Sequence, residues 1–262
     1  TVNTDGDAPS FYGNSDTSVD VTEYFSISDD ESGPTTYKYS TDGFSSSTTI
    51  NSPSSFDPTT ALSDGDTVEI KAIQDDDVGN SDSATTNSIT VDLNDPTVNS
   101  FNPSDATDRN TEPNVISFDI SDTNLDTGTI SITLNDGSGS NILDAVGTSN
   151  SNIVDASGDT YEIDLTDSNG NAISLGEGDI TTTVTAGDDA GNTNTNSATF
   201  TVDKTGPSTA INSINPSTAE AGGDPEVTFD LTDSISGVDT GNSDLKVDNG
   251  VLSGEIGTSG VN

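Results

Sequence analysis

The sequence has 262 residues, with 46 Asp and Glu against five Lys and Arg and a net charge of −41. The length allows two or three domains, and the charge excludes nucleic acid as a partner and disfavours anionic membrane surfaces, because binding phosphates needs basic side chains. The absence of Cys rules out disulfides and thiolate metal sites, and no apolar run approaches the roughly 18 residues of a membrane span. Hydrophobic residues make up only 27% of the chain, which with high charge is the composition of disorder. The apolar residues nevertheless fall with period two, as strands require. The composition is read as acidic domains that fold when salt or a divalent ion screens the carboxylates.

In chain order, Thr1-Val2-Asn3 with Asp5, Asp7 and Pro9 matches two later linkers, Thr90-Val91-Asp92 with Asp95-Pro96 and Thr201-Val202-Asp203 with Gly206-Pro207. The start therefore reads as the tail of a preceding domain. The three threonines are spaced by 89 and 111 residues, each the length of one sandwich domain. In the first repeat Val19, Val21, Phe25 and Ile27 share one phase and predict a strand. Tyr37 and Tyr39 predict another, followed by the turn Thr41-Asp42-Gly43, and Val68, Ile70 and Ala72 alternate with Glu69 and Lys71. Ile89 and Val91 close the repeat.

In the second repeat the predicted strands carry Ile116, Phe118 and Ile120, then Ile130, Ile132 and Leu134 up to the turn Asn135-Asp136-Gly137. Tyr161, Ile163 and Leu165 follow, then Ile180, Val184 and Ala186, and last Ala198, Phe200 and Val202. A third repeat opens with Ile211 and Ile214 before Asn215-Pro216-Ser217, and continues through Val227, Phe229 and Leu231 to Leu245, Val247 and Asp248-Asn249-Gly250. It stops before any acidic Gly-Asn loop, so the third domain reads as incomplete. No segment has a 3.6-residue apolar period, and the Thr, Ser, Val and Ile content with Gly, Asn and Asp at turns predicts an all-β protein.

Two acidic loops closed by Gly-Asn precede the last strand of their repeats: Asp188-Asp189-Ala190-Gly191-Asn192 and Asp75-Asp76-Asp77-Val78-Gly79-Asn80. In a seven-strand sandwich with alternating strand directions, the loop after the second strand, the loop before the last strand and the entering linker share one end. For the second domain that end collects Asp122, Asp188, Asp189 and Asn192, with Asp92 and Asp95 from the linker. The preceding domain's turn, with Asp64 and Asp66, faces the same junction. The matching set at the next junction is Asp203 and Asp233, with Glu177 and Asp179 across it. The first loop departs from the second by about one residue, which leaves Asp75, Asp76 and Asp77 open as its ligand.

Carboxylates this close repel by about a kcal/mol or more per pair unless neutralised. Hard oxygen ligands on flexible loops suit Ca2+, which takes roughly six to eight of them. The acids are therefore read as calcium sites at domain junctions, with other cations open. The competing reading is turn capping, in which Asp and Asn bond backbone amides and Gly191 supplies a positive φ.

These loops, the Val-Asp linkers with Pro, and Asp233-Ser234-Ile235-Ser236-Gly237-Val238-Asp239 resemble the tandem immunoglobulin-like, cadherin-like repeats of prokaryotic cell-surface proteins. Surface-layer proteins and large calcium-binding adhesins carry such repeats. The resemblance covers nearly the whole chain. It implies tandem immunoglobulin-like β-sandwich domains, two complete and a third truncated: 1–9 as the end of a preceding domain and linker, then 10–94, 95–204 and the partial 205–262. It further implies a structural segment of an extracellular surface-layer lattice subunit, whose partners are other copies of itself and divalent cations. The alternative is an adhesin stalk or an extracellular filament subunit.

Other motifs give less. Asp167-Ser168-Asn169-Gly170-Asn171 opens like a helix-loop-helix calcium loop, but Ala172 stands at the turn glycine and Gly178 at the terminal Glu, so a hairpin turn is expected. Without His or Cys there is no usual nucleophile–base pair, and no Gly-x-Ser-x-Gly occurs. No enzyme activity is expected. Lys38 and Lys71 are read as solvated strand lysines, and no Asn-x-Ser/Thr sequon stands outside the Pro-blocked Asn102 and Asn215.

Overall fold

The computed structural model describes residues 1–28, 33–136, 141–145, 153–166, 171–215 and 226–238. The predicted turns at Gly137, Asp167–Gly170 and Pro216-Ser217, and the segment from Leu245 to Gly250, lie outside these residues. The described chain is strand and turn, with a few helical turns of three or four residues.

The first repeat runs β1 (Val2–Thr4), β2 (Phe11–Tyr12), a 3-10 turn (Val21–Tyr24), β3 (Phe25–Ile27), β4 (Thr35–Ser40) and β5 (Thr48–Thr49). A second 3-10 turn (Pro53–Ser55), α1 (Pro58–Ala61), β6 (Thr67–Asp75), β7 (Ser81–Thr85) and β8 (Ile89–Val91) complete it. One sheet has the order β2-β8-β6-β4-β5, with β7 also on β6, and β1 pairs with β3 in the other. Period two places Val68, Ile70 and Ala72 of β6 in the core, with Ile89 and Val91 of β8.

The stretch predicted as one strand from Val19 to Ile27 is interrupted. Asp20 accepts from the Thr22 N–H and caps the 3-10 turn, on which Val21 and Tyr24 are both buried. Residues three apart eclipse in a 3-10 turn, so both side chains reach the core without alternation. Asp57 likewise caps α1 by accepting from the Thr59 and Thr60 N–H groups, with Pro58 at the first helical position. Ahead of the 3-10 turn, Val19 forms an isolated antiparallel bridge with Phe56.

Residues 1–3 do not behave as a foreign tail. Val2 pairs with Ile27 and Asn3 with Ser26, and Val2 is buried in the first core. The sequence echo with Thr90-Val91-Asp92 misplaced them. Thr97-Val98-Asn99, which opens the first strand of the next repeat, is the identical tripeptide and the true counterpart.

The second repeat runs β9 (Thr97–Asn102), β10 (Thr107–Arg109), β11 (Val115–Ser121), β12 (Leu125–Asn135) and α2 (Ile142–Ala145). It continues with β13 (Ile153–Ser157), β14 (Thr160–Asp164), β15 (Gly178–Asp188) and β16 (Thr193–Val202). Its sheets have the orders β13-β14-β11-β9 and β10-β16-β15-β12. Lettered in chain order, these are the D-E-B-A and G-F-C sheets of an immunoglobulin constant-type sandwich. β10 is a detached part of the first strand that has crossed to pair in parallel with the last, Thr107 opposite Phe200. The first repeat has the same device, β2 parallel to β8 with Tyr12 opposite Val91. The protein is all-β, built of tandem immunoglobulin-like sandwiches. In the third repeat β17 (Ser208–Asn215) and β18 (Glu226–Thr232) form an antiparallel pair.

The chain divides into two compact units. One holds Thr1–Asn99 with Asp119–Ser131 and Val184–Asn196; the other holds Ser100–Phe118, Ile132–Thr183 and the described part of Ser197–Asn262. The strand ends that carry Asp122, Asp188 and Asn192 thus belong to the same unit as the first sandwich and the Asp92 linker. Burial of Val2 makes β1 part of that unit's core. Val2→Ala is expected to lower its stability by about 1–3 kcal/mol in chemical denaturation; an unchanged midpoint would mean that β1 only decorates the edge.

Candidate metal centre

Three strand ends supply the acids. β8 stops at Val91, and the next residue, Asp92, donates its N–H to the Tyr12 carbonyl at 2.9 Å. β11 stops at Ser121, and Asp122 accepts the Asn124 N–H at 2.7 Å, a local Asx turn. β15 stops at Asp188, whose Oδ1 accepts from the Ala190 and Asn192 N–H groups, each at 2.9 Å. Gly191, at φ +85°, closes that loop in a conformation other residues rarely adopt. Each of the three acids has a carboxylate oxygen within 4.8 Å of the others, with Asp92 and Asp188 buried and Asp122 half-buried.

Asparagines brace the acids. The Asn124 amide donates to Asp92 Oδ2 at 2.7 Å. The Asn192 amide donates to Asp188 Oδ2 at 2.8 Å and to the carbonyls of Asp92 and Asn94 at 2.9 and 3.0 Å. Its oxygen accepts the Asn14 N–H at 2.7 Å. Gly13 leaves room for this contact, since a Cβ there would overlap the Ala190 carbonyl oxygen.

Among the described residues, none of the hydrogen bonds to these three carboxylates comes from Lys or Arg. The Asp122 carboxyl is pushed above the usual aspartate range, first by burial and then by the charges of Asp92, Asp188 and Asp64, with only the Asn124 N–H opposing. The donor set suits a hard cation. Oxygens that share an ion at about 2.3–2.6 Å can lie up to roughly 5 Å apart, so the observed spread fits one ion. Asp92, Asp122 and Asp188 would hold it, and nearby carbonyls and carboxylate second oxygens are the chemically suitable remaining ligands.

The other predicted residues take different places. Asp64 accepts from the Leu93 N–H at 2.8 Å and the Asn94 amide at 2.6 Å, holding the linker. Asp66 accepts the Ser63 N–H within its own turn. Asp95 accepts from the Asn14 amide. Asp189 is exposed, and only its backbone N–H reaches the site, donating to the Asn124 carbonyl at 2.8 Å. Of Asp75, Asp76 and Asp77, it is Asp76 that has the loop bonding of Asp188: it accepts from the Val78 and Asn80 N–H groups and from the Asn80 amide. The Asn80 amide also leads in holding its carboxyl below the usual range.

Asp203 and Asp233 follow Asp92 and Asp122 by 111 residues each, and their bonding repeats. Thr205 N–H donates to Asp203 as Asn94 N–H does to Asp92, and Ile235 N–H donates to Asp233. The Ser236 hydroxyl, at 2.6 Å, leads in holding the Asp203 carboxyl below its ordinary value, with Asp233 a smaller contributor. Glu177 accepts from the Lys204 N–H and the Thr205 hydroxyl, the place Asp64 has at the first linker. Asp179 accepts from the Thr201 hydroxyl instead. Sequence reasoning missed Asn14, Asn94 and Asn124. The pattern Asp122-Thr123-Asn124 was a usable signal for the last.

No protein-family model matches the sequence, and no curated protein matches it. Among solved structures the chain is similar to the fibronectin(III)-like modules of CbhA from Clostridium thermocellum, at 16% identity over 77% of this chain and 94% of that one, TM-score 0.34. It is also similar to a tetra-tandem repeat from the extending region of a large adhesion protein, at 18% identity over 90% and 62%, TM-score 0.31. A 1.5-MDa bacterial ice-binding adhesin matches at 17% identity over 82% and 69%, TM-score 0.30. Likeness of this size assigns neither function nor ligand, and the immunoglobulin-like fold rests on the strand order itself.

A carboxyl whose folded value lies above its unfolded one binds protons more tightly when folded. Asp122 therefore costs stability at neutral pH, and the cost disappears as pH falls through its folded value toward the ordinary one. In chelator at pH 7, Asp122→Asn is expected to raise stability by on the order of 1 kcal/mol. Thermal melts of the two proteins should converge on acidification.

Proposed function

We propose that this chain is a structural segment of an extracellular prokaryotic surface protein, with Ca2+ at its acidic joints. The observation that carries the reading is the approach of Asp92, Asp122 and Asp188 from three strand ends to within 4.8 Å, with no basic side chain among the described residues bonded to them. A divalent ion would turn their repulsion into attraction and tie the linker to the strand ends beyond it. Asp64, Asp95 and Asp189 add negative field around this position, and Asp203 with Asp233 would begin the next site. Asp66 lies in the same turn as Asp64, and Asp75, Asp76 and Asp77 belong to the first repeat's own acidic loop. The domain limits taken with this reading are 10–94, 95–204 and 205–262, the first widened to include β1.

Within this class we assign the chain to a surface-layer lattice subunit that contacts other copies of itself. The repeated bonding at Asp203 and Asp233 favours a second reading, a stalk or filament with one such joint per domain. Neither role uses catalysis. Calcium-dependent two-dimensional sheets that dissolve in chelator would mark the lattice. A protein that stays monomeric at every calcium level would mark the stalk.

Calcium itself is tested on this chain. Weak binding is expected, with Kd about 10⁻⁴ to 10⁻³ M and a melting temperature that climbs with added calcium. Asp188→Ala should remove most of that climb while leaving the second core folded. No binding heat and no melting shift up to on the order of 10 mM calcium would sink the ion reading.

A further inference from the structure

β16 has an unusual inward phase. Its C-terminal half carries Ala198, Phe200 and Val202, all buried. Followed backwards at the same alternation, the positions are Asn196, which is exposed, Asn194, which is half-buried, and, just before the strand, the buried Asn192. Three amides thus stand where a strand normally continues its apolar row.

Each amide donates to a main-chain carbonyl of the linker. Asn192 reaches Asn94 at 3.0 Å, Asn194 reaches Pro96 at 2.8 Å and Asn196 reaches Val98 at 2.8 Å. Every pair is separated by 98 residues, so the bonds step along the strand and the linker two residues at a time. Asn192 has a further bond to the Asp92 carbonyl. We propose that Asn192, Asn194 and Asn196 form a backbone-reading site whose ligand is the extended segment from Asp92 through the linker to Val98 at the start of β9, and that this site fixes the linker with or without a cation.

The chemistry explains why amides are used. An ordinary β-ladder alternates N–H and C=O, and Pro96 has no N–H to offer. Carboxamide donors ask only for carbonyls, which proline supplies like any residue. The site is also blind to the linker's side chains, so Leu93, Asp95 and Thr97 are free for other contacts. Asn192 in turn needs these carbonyls, because a buried polar side chain is costly unless bonded. In the equivalent strand of the first repeat, Asp82 meets the start of β1 with the opposite polarity, accepting the Val2 N–H.

The inference does not depend on the calcium reading, and its test is made in chelator. Hydrogen exchange is followed in the peptide 92–99, where the Asp92, Leu93 and Asn94 N–H groups are all bonded. Wild type should keep its protection in chelator. Asn194→Val with Asn196→Val keeps the strand propensity but deletes two donors, and should speed exchange about tenfold or more. Thr193→Val, on the opposite phase, should leave the rate unchanged. Protection of β15 in the same spectra reports that the sandwich is folded; if the double variant loses it, the two single variants are read instead. Wild-type exchange rates in the Asn variants, or loss of linker protection in wild type on chelation alone, would overturn the proposal.

Discussion

Carboxylates that approach within 4.8 Å in a chain of net charge −41 repel one another, and something must hold them against that force. Here the restraint is the backbone. Asp188 is tied by two N–H groups of its own loop, Asp122 by the Asn124 N–H and Asp92 by the Asn94 N–H. Each tether is local, spanning two to four residues, so each acid is aimed before it meets the others. Charge-assisted bonds of this kind are stronger than neutral ones, yet they leave the mutual repulsion in place, and it adds to burial, the larger cause, in raising the proton affinity of Asp122.

The thin cores make this joint matter. Among the described residues the first core has fourteen buried hydrophobic side chains, several of them from single turns and two-residue strands. Burial on that scale leaves a small margin over chain entropy, so polar bonds at the sandwich end form a sizeable share of what orders the unit. That share is carried largely by asparagine. An amide both donates and accepts without adding charge, and Asn192 uses both ends, donating to Asp188 and the linker carbonyls while accepting from Asn14. An Asp at position 192 could accept but not donate, and would bring one more charge into the cluster.

Period two made most strands legible, because β6, β11, β12, β15 and β16 each bury one face. It misled where a 3-10 turn kept the apolar phase: Val21 and Phe25 still face the core across a segment that is not a strand. Thr1-Val2-Asn3 was misplaced because a tripeptide that ends one repeat resembles the one that begins the next. At the site, Asp92, Asp122 and Asp188 could be grouped from strand direction alone, since strand ends at one end of a sandwich converge whatever the details. Asp189 could not be separated from Asp188, because which of two successive acids turns inward is decided by the loop's own hydrogen bonds. The asparagine row on β16 left a readable sign, polar residues on a core phase, but its carbonyl partners lie 98 residues away and have no sequence signature.

The first repeat separates what the loop does by itself from what the joint does to it. Asp76 to Asn80 has the bonding of Asp188 to Asn192: the same N–H groups two and four residues on, the same side-chain amide, the same N–H to carbonyl return, and a glycine at φ +93° in place of +85°. Asn80 is exposed where Asn192 is buried. The two loops therefore agree in shape while differing in cover, so the shape does not come from the linker or from the acids the linker brings. A loop that is formed before its partner arrives loses little conformational entropy on docking. The Asp188 loop then brings a locally determined shape to the joint, to which the linker adds Asp92 and a row of carbonyls.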